Sequence, residues 1–172
     1  DGFYYSAYDA PVKGKEFSNV NENHKIYYHK LGTPQTEDKL IYPPPAYPKR
    51  FYSVSVNEDE TVMFLYESGD GRGNALYMKD LRKEDAPFVA MATDMNYQYS
   101  PLEVIGDKIY LSTNYEAPKS RVMVTELDKP ALKDWTTLVP ESEDVLSGAQ
   151  VIGGKLFLTY DKDASNHAYV YG

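Results

Sequence analysis

One short pattern returns along this chain at a nearly constant interval, and it limits the possible folds more than any other feature. Gly106-Asp107-Lys108-Ile109-Tyr110-Leu111-Ser112 and Gly153-Gly154-Lys155-Leu156-Phe157-Leu158-Thr159 both read as a turn, a lysine, then apolar, aromatic, apolar. Lys155 lies 47 residues after Lys108, and Thr61, which opens Thr61-Val62-Met63-Phe64-Leu65, lies 47 residues before it. Asp1-Gly2-Phe3-Tyr4-Tyr5 fills the same slot 58 residues earlier still, with the excess taken up by a polar loop at 12–23. A second slot keeps step, holding residues 28–31, 77–81 and 124–127. A period of about 40–50 residues that holds four short strands is the mark of propeller blades. One four-stranded sheet cannot bury both of its faces, so such units stack face to face.

The strands read directly from the residues. They are expected at 3–8, 25–31, 38–42, 51–56, 61–66, 75–81, 87–91, 102–105, 108–113, 121–127, 135–139, 145–152, 155–160 and 167–171. Val, Ile, Thr and aromatic residues fill them, and Gly, Asn, Asp and Pro separate them. The run 62–66 is apolar without alternation, which predicts a strand buried on both faces. No run of 10–12 residues has a 3.6-residue period, so no long helix is expected; residues 129–134 allow one short turn. Pro43-Pro44-Pro45-Ala46-Tyr47-Pro48 cannot sit inside a sheet, because proline lacks the ladder donor. It reads as a rigid connection between units rather than as a polyproline ligand. The fold class is therefore all-β: a partial β-propeller of about three to four blades of four-stranded antiparallel sheet. The units run over about 1–48, 49–95, 96–142 and an incomplete 143–172. About three and a half blades fall short of a closed ring, so the chain is expected either to belong to a larger ring or to self-associate through open edges and faces.

Composition narrows the chemistry. A net charge of −8 over 172 residues argues against nucleic acid, whose phosphates require basic patches. The absence of cysteine removes disulfides, thiolate catalysis and Cys-based zinc sites. It leaves the compartment open between cytoplasm and bacterial periplasm. No stretch approaches the roughly 20 apolar residues of a membrane span. The chain opens at Asp1 without a Met or a signal-like run, which reads as an excerpt or a processed product.

Candidate sites are sparse. Glu67-Ser68-Gly69 does not complete a G-x-S-x-G elbow. His24, His29 and His167 fall in loop or strand slots with no partner identifiable in the sequence. Gly69-Asp70-Gly71-Arg72-Gly73 leads into a strand, whereas a phosphate-cradling loop needs a helix after it. Asp161-Lys162-Asp163, with Ser165 and Asn166, lacks the mid-loop glycine and closing glutamate of a calcium loop. The carboxylates at 58–60 and 141–144 read as solvated turns. No catalytic residue, cofactor or metal is expected.

Several segments resemble one family in its own order. Tyr27-Tyr28-His29-Lys30-Leu31-Gly32-Thr33-Pro34-Gln35-Thr36-Glu37-Asp38 resembles the YYHxLGTxQxxD segment of the prolyl oligopeptidase propeller. Gly2-Phe3-Tyr4-Tyr5 fits the strand before it, and Leu76-Tyr77-Met78-Lys79-Asp80-Leu81 its LWYxDL-type strand. Thr113-Asn114, Pro118 and Arg121-Val122 are similar to its TN…P…RV segment, and Trp135-Thr136-Thr137-Leu138-Val139-Pro140-Glu141 to its WxxLVPE segment. The resemblance covers about residues 2–141. It implies a seven-bladed propeller that covers the active site of an α/β-hydrolase domain carrying Ser, Asp and His. That catalytic domain is absent from this chain, and no position here matches the triad. The implied function is that of a non-catalytic propeller fragment of a serine peptidase that cleaves short peptides after proline, with the propeller as a steric gate. Ile41, just after the signature, is the candidate for the wall of the substrate cavity. From another class, a stand-alone propeller-like module could bind peptide or protein through Tyr-rich loops, since 17 tyrosines offer broad amphipathic contact.

Overall fold

The computed structural model describes residues 1–10, 12–14, 21–42, 47–69 and 71–172. Residues 15–20 of the expected polar loop, 43–46 of the proline-rich connection and Asp70 lie outside them. Among the described residues fourteen strands follow in chain order. They are β1 (Gly2–Ala7), β2 (Lys25–Lys30), β3 (Lys39–Tyr42), β4 (Phe51–Val56), β5 (Val62–Ser68), β6 (Asn74–Asp80), β7 (Val89–Ala92), β8 (Tyr99–Ile105), β9 (Lys108–Thr113), β10 (Arg121–Glu126), β11 (Thr136–Val139), β12 (Val145–Ile152), β13 (Lys155–Lys162) and β14 (Ser165–Tyr171). Only two 3₁₀ turns, Gln35–Glu37 and Leu132–Asp134, interrupt the strands among the described residues.

The strands form four antiparallel meanders: β1-β2-β3, β4-β5-β6-β7, β8-β9-β10-β11 and β12-β13-β14. By the repeat register β1 belongs to the slot of β5, β9 and β13. The first blade therefore lacks the first strand of the pattern, and the fourth blade lacks the last.

Three apolar layers hold the blades together. Ile26, Tyr52 and Leu65 pack between the first and second blades. Val62, Phe64, Leu76, Met78, Tyr99, Ile109, Leu111 and Trp135 fill the space between the second and third. Val122, Leu146, Leu156 and Leu158 join the third to the fourth. This explains the unalternated run in β5. Side chains of a strand point alternately to opposite faces, so Val62 and Phe64 enter one layer while Leu65 enters the other. Both layers are built of buried apolar side chains, so both sets of positions are apolar.

The ends of the strands differ from their sequence-based limits for local reasons. β5 runs on to Ser68 and β6 starts at Asn74, because Ser68 pairs with Asn74 at the mouth of the loop. β8 starts at Tyr99, three residues early, because Tyr99 pairs with Thr113 and its amide donates to Asn74 Oδ1 at 3.0 Å. Pro101 is tolerated in this edge strand of its sheet.

Candidate functional site

The loop ends at the starts of β4, β6 and β8 meet on one side of the blades. Pairing of Phe51 with Ser68 and of Ser68 with Asn74 places the entry to β4 beside the β5–β6 loop. That loop is docked onto the residues before β8: Asn74 N–H donates to Tyr97 O at 3.0 Å, and Gln98 Nε2 to Arg72 O at 2.7 Å. Gly73 permits the approach, since a Cβ there would overlap the Tyr97 backbone. The resulting cavity, about 460 Å³, is lined by Tyr47, Pro48, Lys49, Arg50, Gly69, Gly71 and Met95.

Arg50 brings a positive charge to this wall. Its guanidinium lies 3.8 Å from the centre of the Tyr47 ring and pairs through Nη1 with Glu67 Oε1. Glu67 is buried near the end of β5. It is fully committed: Tyr52 Oη donates to Oε1 at 2.9 Å and Tyr77 Oη to Oε2 at 3.1 Å. A buried carboxylate needs this density of donors. The reciprocal effect falls on the phenols. Burial, then the neighbouring Glu67 charge, pushes the Tyr77 hydroxyl up to about 12. Burial and the hydrogen bond to Glu67 also raise Tyr52 well above the usual tyrosine range.

Behind this cluster the first blade is fastened to the second. His24 is buried, and its Nδ1 accepts the Tyr52 backbone N–H at 2.9 Å. Asn23 N–H donates to Pro48 O at 2.9 Å. The His24 ring lies 4.7 Å from the Tyr8 ring and 6.1 Å from that of Phe51.

The other sequence candidates separate. Ile41 lies on β3, partly buried, and packs against the Ile26–Tyr52–Leu65 layer. It is not among the residues lining the Arg50 cavity. The histidines, for which the sequence offers no partners, each have one. His29 Nδ1 bonds Asp38 Oδ1 at 2.7 Å, and Tyr5 Oη donates to Asp38 Oδ2 at 2.6 Å. Tyr5 and His29 together hold the Asp38 carboxyl below the ordinary value. His167 Nε2 lies 3.1 Å from Ser165 Oγ. That pair has the wrong polarity for a nucleophile and base. The Ser165 hydroxyl donates its only hydrogen to Lys162 O at 2.8 Å, so its oxygen accepts from the imidazole. Ser165 opens β14 and bonds back across the hairpin turn to Lys162. Among the described residues no group of three or more His, Cys, Asp or Glu side chains could hold a metal ion. No helix among them is long and apolar enough to cross a membrane.

The sequence missed the cavity because its wall comes from residues near 47–50, 69–71 and 95. Only the repeat register, which brings the loops of successive units to one end, could have located it.

Residues 1–171 match the family model of the prolyl oligopeptidase N-terminal β-propeller domain. The chain belongs to this family. A prolyl endopeptidase of Elizabethkingia meningoseptica is 33% identical over 171 residues, and one of Elizabethkingia miricola is 34% identical over 174. Each alignment covers 99% of this chain and 24% of the relative. The solved structure of prolyl oligopeptidase B from Galerina marginata, bound to a 35mer hydrolysis and macrocyclization substrate, superposes with a TM-score of 0.88. It shares 25% identity over 99% of this chain and 24% of that one. The chain thus spans about a quarter of the length of the relatives it matches.

Proposed function

We propose that this chain is a non-catalytic propeller segment of a prolyl-oligopeptidase-type serine peptidase that cleaves short peptides after proline, and that it acts as a steric gate over the active site. The observation that carries this reading is the match of residues 1–171 to the propeller domain model. The site chemistry supports it. At the cavity Arg50 is paired with Glu67, and Glu67 with Tyr52 and Tyr77. They can shape a wall, but none is free to attack an acyl group. Exclusion of folded substrates is steric and needs no particular side chain, and the three apolar layers between blades are compatible with such a wall.

The test compares two proteins. One is this 172-residue chain; the other is the product of the complete gene that contains it. Release of a chromophore from a blocked Gly-Pro amide is expected from the complete protein and not from the chain alone. The complete protein is also expected to cleave a peptide of about ten residues while sparing the same sequence in a loop of a folded protein. Cleavage by the chain alone would show that it is catalytic. An inactive complete protein would leave a peptide-binding propeller as the better reading, and equal cleavage of peptide and folded protein would remove the gate.

A further inference from the structure

His24 is the one histidine whose hydrogen bond can exist in a single protonation state. Its Nδ1 faces a backbone N–H, that of Tyr52, which can only donate. The ring must therefore be neutral, with its proton on Nε2. His29, by contrast, faces the Asp38 carboxylate, and His167 faces a hydroxyl; each of these accepts a charged or neutral ring. Protonation of His24 would set two donors against each other inside a buried contact.

The position of this contact gives it a consequence. Two bonds tie residues 23–24 to the segment entering β4: Asn23 N–H to Pro48 O, and Tyr52 N–H to His24 Nδ1. Between Pro48 and Tyr52 lie Lys49 and Arg50, which line the cavity. We propose that His24 is a pH-sensitive latch: neutral, it clamps residues 48–52 to the first blade; protonated, it releases them, and the cavity wall carrying Arg50 loosens at the junction of the first two blades.

The surrounding groups do not offer the protonated ring a substitute partner. The Tyr8 ring lies 4.7 Å from the imidazole, tilted by 51°. Beside it in the chain, Lys25 is paired with Asp9, whose other oxygen accepts from Asn23 Nδ2. On the second blade, Tyr52 gives its hydroxyl to Glu67, and Glu67 is taken up by Arg50 and Tyr77. Asp9 and Glu67 are thus each engaged with a cation. Burial accordingly lowers the His24 pKa from its usual value near 6.5. The sign follows. The folded state resists binding a proton that the unfolded state takes up, so the contribution of the latch is complete above about pH 6.5 and is lost as the pH falls below it.

The latch belongs to this chain's own fold and holds whether or not a peptidase domain accompanies it. The test is amide hydrogen exchange at Tyr52, corrected for the intrinsic pH dependence, at pH 7 and pH 5. Protection at Tyr52 is expected to fall about tenfold or more, one decade per unit of pH below the transition. His24→Asn places an amide oxygen where Nδ1 stood and cannot titrate; it should hold Tyr52 protection within about twofold over the same range. His29→Asn should leave the wild-type response intact. If His24→Asn fails to fold, ¹⁵N shifts of the imidazole decide the matter in the wild type: His24 should show a bare Nδ1 at pH 7 and gain its proton in step with the loss at Tyr52. Constant Tyr52 protection, a response that persists in His24→Asn, or a His24 that titrates above pH 6.5 would each overturn the latch.

Discussion

Glu67 is the residue on which the contacts behind the cavity wall converge, because three donors, Arg50, Tyr52 and Tyr77, meet on one buried carboxylate. Replacing it with Gln keeps the size and removes the charge that both phenols and Arg50 require. Glu67→Gln should destabilise the chain by about 2 kcal/mol, and Glu67→Ala by more, since Tyr52 and Tyr77 then lose their acceptor altogether. Tyr52→Phe removes one of the bonds and should cost about 1 kcal/mol. Urea unfolding of the three variants checks the order. The same cluster predicts an alkaline limit. Tyr77 keeps its proton in the fold up to about 12, whereas an unfolded tyrosine loses it near 10. Between these values the folded state holds more protons than the unfolded one, so stability must fall as the pH rises through that window. Absorbance at 295 nm should show Tyr77 and Tyr52 ionising together with unfolding rather than before it. None of this cluster was legible in the sequence. Tyr52, Glu67 and Tyr77 sit on β4, β5 and β6, with Arg50 just before β4, and only the register of β4 on β5 and of β5 on β6 makes them neighbours.

At the scale of elements, the sequence was most informative where a strand is buried on both faces. β5 carries its apolar run without alternation, because each of its faces meets another blade. β14 is exposed along its whole length, so its composition constrains little, and its start at Ser165 was missed by two residues. The stacked arrangement predicts that damage to one layer stays in that layer. Leu65 is buried between the first two blades and Leu158 between the last two. Leu65→Ala and Leu158→Ala should each cost about 2–5 kcal/mol. As the residues share no partner, the double variant should equal the sum within about 0.5 kcal/mol. A large departure from additivity would mean that the blades unfold as one inseparable core. A second element-level device closes β6. Asp80 accepts from the Arg82 backbone N–H and from its Nε and Nη2, which holds its carboxyl down to about 2. Its contribution is present above the ordinary carboxylate range and is lost as the pH falls toward 2. Arg82 is largely exposed, so Asp80→Asn should cost only about 1 kcal/mol at neutral pH and almost nothing near pH 2. Stability curves at the two pH values separate these cases.

For the whole molecule the decisive fact is that the stack has two ends. The outer face of the first blade presents Phe3 and Leu40, which are 51% and 45% exposed. They lie beside Tyr5, Tyr27 and His29: Phe3 pairs with His29, and Leu40 with Tyr27. The outer face of the fourth presents Ile152 and Val170, 55% and 60% exposed, on the side of β13 that carries Phe157. At the sheet edges, β1 and β14 are each an end strand of a three-stranded sheet. A face built to be covered and an edge built to be paired attract a similar surface when nothing else is offered. We therefore expect the 172-residue chain to self-associate head to tail, the fourth blade of one copy against the first blade of the next. Such a contact is heterologous, so it closes into a ring only if the rotation allows and otherwise extends into a chain of copies. Sedimentation over a range of concentrations should show mass rising well above 19.5 kDa. Phe3→Lys and Val170→Lys place charges on the two opposite faces, and either one alone should return the protein to monomer, because every head-to-tail contact uses both. If only the doubly substituted chain dissociates, each face pairs with its own kind and the head-to-tail arrangement is wrong. If the unmodified chain is monomeric at about 100 µM, the open faces are weaker than their composition implies.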